Sequence, residues 1–147
     1  MKIEDLRIGN IVGINGSVIT DEICVSEILT MANVGNYFCD LKYNRPSKFL
    51  IGGYTGCFVN DLIPILLTEK ILLQCGFYKE NNYTSNDNVF VKEIRFPSFF
   101  TIVEEEKGYK LCDADIYTNI IYLHELQNLY FALTKKELPI DINTLEL

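Results

Sequence analysis

The residues at 123–133 constrain the fold of this chain more than any other stretch. Four of their apolar side chains lie at offsets 0, 3, 4 and 7, the spacing of one helix face: Leu126, Leu129, Tyr130 and Leu133. The residues directly before them, at 120–123, form an apolar run typical of a buried strand. We therefore predict a strand that runs almost directly into an amphipathic helix at 124–133, whose apolar face closes the core.

A second, shorter helix is predicted at 68–75. Apolar residues recur there at every fourth position: Leu67, Ile71 and Cys75. Thr68 stands where an N-cap is needed, since its side-chain oxygen can accept a backbone N–H of the first turn. Gly76 followed by Phe77 is typical of a Schellman-type stop, in which a glycine takes a positive φ after the helix. The segment thus has the start, the stop and the apolar spacing of a two-turn helix.

The remaining residues have the patterns of short strands. Residues 1–62 contain five apolar or alternating segments separated by turn residues. One of these turns is Asn15-Gly16, the dipeptide of a two-residue hairpin that would join 11–14 to 18–20. The chain returns to strands at 77–123, which include a hairpin with a charged tip.

These elements together predict an α+β fold. Residues 1–62 are predicted to form a β-rich module, either a small bent antiparallel sheet or an SH3-like barrel. Residues 63–147 are predicted to form a second module, an antiparallel sheet with two short helices. The chain has 147 residues, of which 48% are hydrophobic, so it can bury a sizeable core and we expect one compact unit.

The net charge of −7 bears on the choice of partner. It is uneven, with −2 on residues 1–74 and −5 on residues 75–147. A nucleic-acid-binding protein usually carries a basic stripe, because the neutralisation of phosphates supplies much of its affinity. Lys135-Lys136 is the only adjacent basic pair in the sequence, so direct nucleic-acid binding is disfavoured.

The sequence has no feature of export or membrane insertion. Its first five residues include two acidic side chains and no long apolar region, unlike a signal peptide. Its apolar runs are interrupted within about six residues, whereas a membrane helix needs roughly 20. We therefore expect a cytoplasmic protein without membrane contact.

The five cysteines stand far apart, at successive spacings of 15, 18, 18 and 37 residues: Cys24, Cys39, Cys57, Cys75 and Cys112. Because zinc and redox motifs need two close cysteines, this spacing predicts neither. The odd count also argues against a closed set of disulfides. Two further carboxylates, Asp113 and Asp115, are too few ligands to indicate a cation site by themselves. We expect reduced, mostly buried thiols, no cofactor and no metal.

His124, the only histidine, is the one candidate for acid–base chemistry. It lies at the start of the predicted C-terminal helix, where the positive helix terminus favours the neutral ring. A neutral imidazole could activate a thiolate, but it could equally bond to backbone groups at this junction. Catalysis also needs a cleft and an orienting third group, so we predict no catalytic residue and keep His124 as a candidate binding residue.

Aromatic residues of the N-terminal module are the other candidate binding residues. One interpretation is core and cross-strand packing, which we favour because a small barrel needs large side chains to fill it. The other is a peptide-recognition face. The candidates are Tyr37, Tyr43, Tyr54 and Phe58.

Three segments resemble one family of small uncharacterised proteins found in bacterial genomes, prophages and mobile elements. Residues 6–10, LRIGN, resemble the start of that family. Residues 66–77, LLTEKILLQCGF, resemble its PLTEEWLLKFGF-like segment, and 124–134, HELQNLYFALT, resemble its HQLQNLYFALTG ending. The chain departs from this pattern at Lys135, where the family has glycine, and at Ile71, where an aromatic residue is common. The resemblance implies an architecture and a phage or mobile-element setting, and no reaction.

These observations favour a non-enzymatic accessory or interaction protein of phage or mobile-element type, with a protein partner. Two alternatives stay open. An acidic inhibitor that mimics nucleic acid is motivated by the −5 charge of residues 75–147, and it would need its carboxylates in one continuous stripe. A small thiol- or metal-dependent enzyme would need a cysteine with a lowered pKa or a bound metal.

Overall fold

The computed structural model describes most of the chain: residues 5–15, 23–32, 38–43, 54–80, 88–95, 98–112, 119–145 and 147. These residues form two antiparallel sheets and two α-helices, which confirms the predicted α+β class. Neither helix in this part of the chain is long and apolar enough to cross a membrane.

The first sheet has five strands in the order β4-β3-β2-β1-β5. Its strands are β1 (Ile11–Asn15), β2 (Ile23–Ala32), β3 (Phe38–Tyr43), β4 (Tyr54–Phe58) and β5 (Leu62–Ile63). The two edge strands, β4 and β5, follow one another in the chain and are joined by a 3₁₀ turn at Val59–Asp61. Among the described residues, these two edge strands do not pair with each other.

The predicted hairpin at Asn15-Gly16 is wrong in its register. β1 pairs with the start of β2, with Asn15 opposite Ile23, and not with residues 18–20. The connection at 16–22 lies outside the described residues. A two-residue turn would have given β1 a partner of only three residues. The ten-residue β2 pairs instead with β1 on one side and with β3 on the other.

The second sheet is a five-stranded antiparallel meander in the order β10-β9-β8-β7-β6. Its strands are β6 (Tyr78–Glu80), β7 (Val89–Arg95), β8 (Ser98–Glu105), β9 (Gly108–Leu111) and β10 (Asn119–Ile120). The predicted hairpin with a charged tip joins β8 to β9, with Glu105 opposite Gly108. Gly108 has a φ of +136°, and a Cβ there would lie 2.7 Å from the carbonyl oxygen of Ile120, so the tip requires glycine.

The shorter helix, α1 (Glu69–Gln74), has the predicted ends. Thr68 is its N-cap, and the Thr68 hydroxyl accepts from the N–H of Ile71 at 3.3 Å. Gly76 has a φ of +80°. The N–H groups of Gly76 and Phe77 donate to Leu73 and Leu72, the paired bonds of a Schellman motif.

The longer helix, α2 (Leu123–Thr134), lies close to its predicted bounds, but its buried face is rotated from the predicted one. Leu126 and Tyr130 are buried as expected and Leu129 is partly buried, whereas Leu133 is 49% exposed. The buried face is completed by three residues from the first two turns: Leu123, His124 and Gln127. A polar glutamine therefore takes a place that the apolar pattern could not assign, because the backbone of the N-terminal segment supplies its partners.

Candidate functional site

The aromatic candidates lie in a part of the chain that the structure describes incompletely. Tyr37 lies outside the described residues. Tyr43, Tyr54 and Phe58 belong to β3 and β4, where the backbone is described and their side chains are not. The backbone register sets Tyr54 opposite Lys42 and Phe58 opposite Phe38, so these candidates do not face one another as cross-strand pairs. A recognition face built from them stays a prediction.

His124 lies in the interior, at the start of α2. It is 2% exposed, and its ring stacks on that of Tyr122 with centroids 5.8 Å apart. Burial lowers the pKa of His124, while the charges of Glu125 and Asp5 oppose that shift. Its Nδ1 is buried and has no partner among the described residues. The ring is therefore neutral at pH 7 and closed to a ligand from solvent.

The first and last of the three family-like segments meet at α2, where Gln127 and Asn128 bond to the N-terminal segment. The Gln127 Oε1 accepts from the N–H of Ile11 at 2.8 Å, and its Nε2 donates to the C=O of Gly9 at 3.2 Å. The Asn10 amide donates to the Asn128 Oδ1 at 2.9 Å, across 118 positions of the chain. The hydrogen bonds of these side-chain amides hold α2 to the N-terminal segment.

Arg7 completes this junction. Its guanidinium forms two hydrogen bonds of 2.7 Å with the carboxylate of Glu137 and lies 4.4 Å from the ring centroid of Phe131. The fork geometry of arginine suits both contacts, which a lysine could not make together. The polar residues of this junction therefore have an architectural role, and they do not form an open binding site.

Of the two described thiols, Cys112 is exposed and Cys75 is buried, and the surroundings of Cys75 do not favour nucleophilic chemistry. Cys75 is fully buried at the end of α1, and burial raises the pKa of its thiol to about 12 although the positive charge of Lys92 lowers it. The Lys92 ammonium donates instead to the C=O of Cys75 at 2.7 Å. Asp113 and Asp115 lie outside the described residues. Within the described residues, no group of three or more metal-ligating side chains comes together.

A different region has the features of a binding surface: residues 62–67, which we call the bridging segment. Its first part is β5, in which Leu62 and Ile63 pair with β1 of the first sheet. Its second part pairs with 121–123, beside the second sheet. The Leu67 N–H donates to Ile121 at 2.8 Å, and Ile65 accepts from the Leu123 N–H at 2.9 Å. One short segment is thus an edge strand of the first sheet and also pairs with the residues that follow the last strand of the second sheet.

Leu66 is the exposed point of the bridging segment. It lies opposite Tyr122, and the two hydrogen bonds of this bridge belong to the residues on either side of Leu66. In such a non-hydrogen-bonded pair, the residue's own N–H and C=O point away from the partner strand. Neither group of Leu66 bonds to any described residue, and its side chain is 60% exposed.

Leu66 lines two cavities of similar size. The first, of about 330 Å³, is an apolar groove with these principal lining residues: Ile63, Pro64, Ile65, Ile71 and Leu147. Leu147 is itself half exposed at this groove. The polar residue beside it, Thr68, already uses its hydroxyl to cap α1. The groove therefore offers apolar surface almost exclusively.

The second cavity, of about 360 Å³, is bordered by the tip of the β8–β9 hairpin, which we call the acidic tip: Glu104, Glu105, Glu106, Lys107 and Gly108. Glu105 lies 3.7 Å from Lys110, whereas Glu106 is exposed and forms no ion pair with the described residues. Tyr109 also lines the cavity. Its pKa is raised to about 12, mainly by burial and to a smaller extent by the negative charges of Glu104 and Glu69. The cavity thus combines negative charge with an apolar floor.

Comparison with protein-family models, with curated proteins and with solved structures finds no match for this chain. The candidate site therefore rests on its own geometry. Sequence reasoning selected aromatic residues and missed the bridging segment. The available signal was the run Leu62-Ile63-Pro64-Ile65-Leu66-Leu67, an apolar stretch with an internal proline, which is typical of an edge strand.

Proposed function

We propose that this chain is a non-enzymatic accessory protein of phage or mobile-element type that acts by binding a partner protein through its bridging segment. The exposed position of Leu66 carries the proposal. Proteins usually protect strand edges with charges, bulges or covering loops, because a free edge pairs with other chains. Here the edge carries an exposed leucine beside an apolar groove, a combination that favours a binding surface.

The states of His124 and Cys75 support a binding role over catalysis. His124 is buried and neutral, and Cys75 is buried with a raised pKa. A thiol enzyme needs the opposite, an accessible cysteine whose pKa is lowered by a basic neighbour. The phage or mobile-element setting rests on the family resemblance alone.

The ion pairs also favour this role over mimicry of nucleic acid. A mimic needs its carboxylates in an unbroken row, free of cations from the same chain. Three glutamates of the described surface instead lie against a lysine or arginine, in the pairs Glu69–Lys79, Glu105–Lys110 and Glu137–Arg7. Each pair weakens the negative potential locally.

The proposal is tested by affinity capture from the native host, followed by mass spectrometry, with three forms of the protein. These are the wild type, Leu66→Lys and the matched control Leu133→Lys, which changes a similarly exposed leucine outside both cavities. We expect one captured protein to be shared by the wild type and the control and lost from Leu66→Lys. That protein, once purified, should bind the three forms in the same order.

The melting temperatures of the three forms establish that each is folded. Equal capture by all three forms would contradict the proposal, as would a loss that affects the Leu133→Lys control equally.

A further inference from the structure

We infer that the partner presents an extended segment that adds as a strand at Leu66, with an apolar side chain in the groove and a basic side chain at the acidic tip. This inference rests on the proposed function and specifies the chemistry of the partner. The outward-pointing backbone groups of the bridging segment and the charge at the hairpin tip support it independently.

Few backbone groups of the bridging segment point away from residues 121–123. The Ile65 C=O and the Leu67 N–H pair with those residues. Pro64 has no N–H, so an added strand cannot continue a full ladder past it. Leu66 therefore offers one outward donor and one outward acceptor, enough to fix the register of a short extended segment.

Both cavities are lined by Leu66, so both lie beside the point at which the backbone bonds would form. Side chains two positions apart on a strand point to the same face, roughly 7 Å apart. A segment anchored at Leu66 can thus place one side chain in the apolar groove and the side chain two positions away at the acidic tip.

The charge at the acidic tip selects the chemistry of that second side chain. Three glutamates border the tip cavity, and they outnumber the two nearby lysines, Lys107 of the tip and Lys110, which pairs with Glu105. Glu106 forms no ion pair with the described residues, and the chain as a whole carries −7. Complementary charge favours a lysine or arginine from the partner and speeds its approach. The same field disfavours nucleic acid and anionic lipid, whose phosphates would be repelled.

The test uses labelled synthetic peptides, because the partner is unidentified. Three probes share a Thr-Val-Thr-Leu-Thr core and carry Lys, Gln or Glu at both ends. A fourth is the Lys probe with a methyl group on the backbone nitrogen of its leucine, which removes one backbone donor. Fluorescence anisotropy gives the affinity of each probe for the full-length protein.

We expect the Lys probe to bind about fivefold more tightly than the Gln probe, and the Glu probe to bind least. This preference should shrink in Glu106→Gln and at about 0.3 M salt, but not in the control Glu93→Gln, an exposed glutamate of β7 outside the tip. Methylation of the probe should cost about tenfold in affinity. Leu66→Pro should cost a similar factor, because it removes an N–H that bonds to no described residue.

The methylated probe keeps the test decisive if Leu66→Pro does not fold. An affinity that changes neither with the charge of the probe nor with its methylation would overturn the inference. If such indifferent binding is still abolished by Leu66→Lys, the bridging segment binds proteins and the proposed function stands without this partner chemistry. If no probe binds, the inference fails, and the capture experiment alone decides the proposed function.

Discussion

Gln127 of α2 holds the start of β1 by bonding on both sides of Asn10. Its Oε1 accepts from the N–H of Ile11 at 2.8 Å, and its Nε2 donates to the C=O of Gly9 at 3.2 Å. The side chain is almost fully buried, so water cannot replace either bond. A single glutamine thus supplies the pairing that a neighbouring strand would otherwise give to this backbone.

Replacing Gln127 should therefore destabilise the protein more than its polarity suggests. In Gln127→Met the side-chain volume is nearly kept, but a buried N–H and a buried C=O lose their partners. We expect the free energy of unfolding to fall by about 1–3 kcal/mol, measured by urea denaturation. The control is Leu133→Met, on the exposed face of the same helix, which should change it by less than about 0.5 kcal/mol. Equal effects of the two substitutions would contradict this interpretation of the junction.

The extent to which this fold follows from the sequence differs between its elements. Helix α1 could be predicted with both ends, because Thr68 and Gly76 have local backbone roles that one residue fixes. The buried face of α2 could not be predicted, because Gln127 is buried with hydrogen-bond partners that lie far away in the sequence. Leu133 is the opposite case, because it is apolar and fits the helical pattern but is exposed.

The candidate site was harder to predict than the fold. The exposure of Leu66 depends on which groups of the bridging segment face residues 121–123, and that register is set by tertiary pairing. An apolar run reads the same in sequence whether its residues are buried or form a free edge. The hairpin predicted at Asn15-Gly16 was wrong for a similar reason. The long strand β2 pairs with β1 on one side and with β3 on the other, and this pairing outweighs the local turn preference.

Lys135 ends α2 in a conformation that suits glycine. Its φ is +58°, in the left-handed region where a side chain costs roughly 1 kcal/mol. We expect Lys135→Gly to raise the free energy of unfolding by about 0.5–1 kcal/mol, seen as a higher melting temperature.

The matched control for Lys135→Gly is Lys136→Gly. Lys136 is also exposed, but it is not among the residues with a positive φ in the described part of the chain. This control should be neutral or slightly destabilising, because it adds chain entropy without relieving strain. A stabilisation of similar size in both variants would point to the loss of a charge and not to the backbone.

Cys75 should resist alkylation as long as the protein is folded. Its pKa of about 12, against 9.0 for an ordinary thiol, leaves about a thousandfold less thiolate near neutral pH, and burial blocks access as well. We expect iodoacetamide to modify Cys75 only through the small unfolded population, with exposed Cys112 as the internal comparison. Peptide mapping by mass spectrometry follows both sites. Rapid modification of Cys75 in the native protein would revive the thiol-enzyme alternative.

The burial of His124 should make stability depend on pH. Burial lowers its pKa in the folded state below the 6.5 of an exposed histidine. As the pH falls below about 6.5, the unfolded chain therefore takes up a proton before the folded one does. The free energy of unfolding should then decrease until the folded pKa is passed, and His124 should contribute no pH dependence well above 7.

His124 is the only histidine, so His124→Phe removes this titration while keeping a flat ring beside Tyr122. Urea denaturation at a series of pH values between about 5.5 and 7.5 compares the two proteins. The slope of stability against pH is the quantity of interest, because any packing cost of phenylalanine is the same at every pH. We expect a positive slope in the wild type that is largely lost in the variant. Equal slopes would mean that His124 takes up its proton in the folded protein as readily as in water.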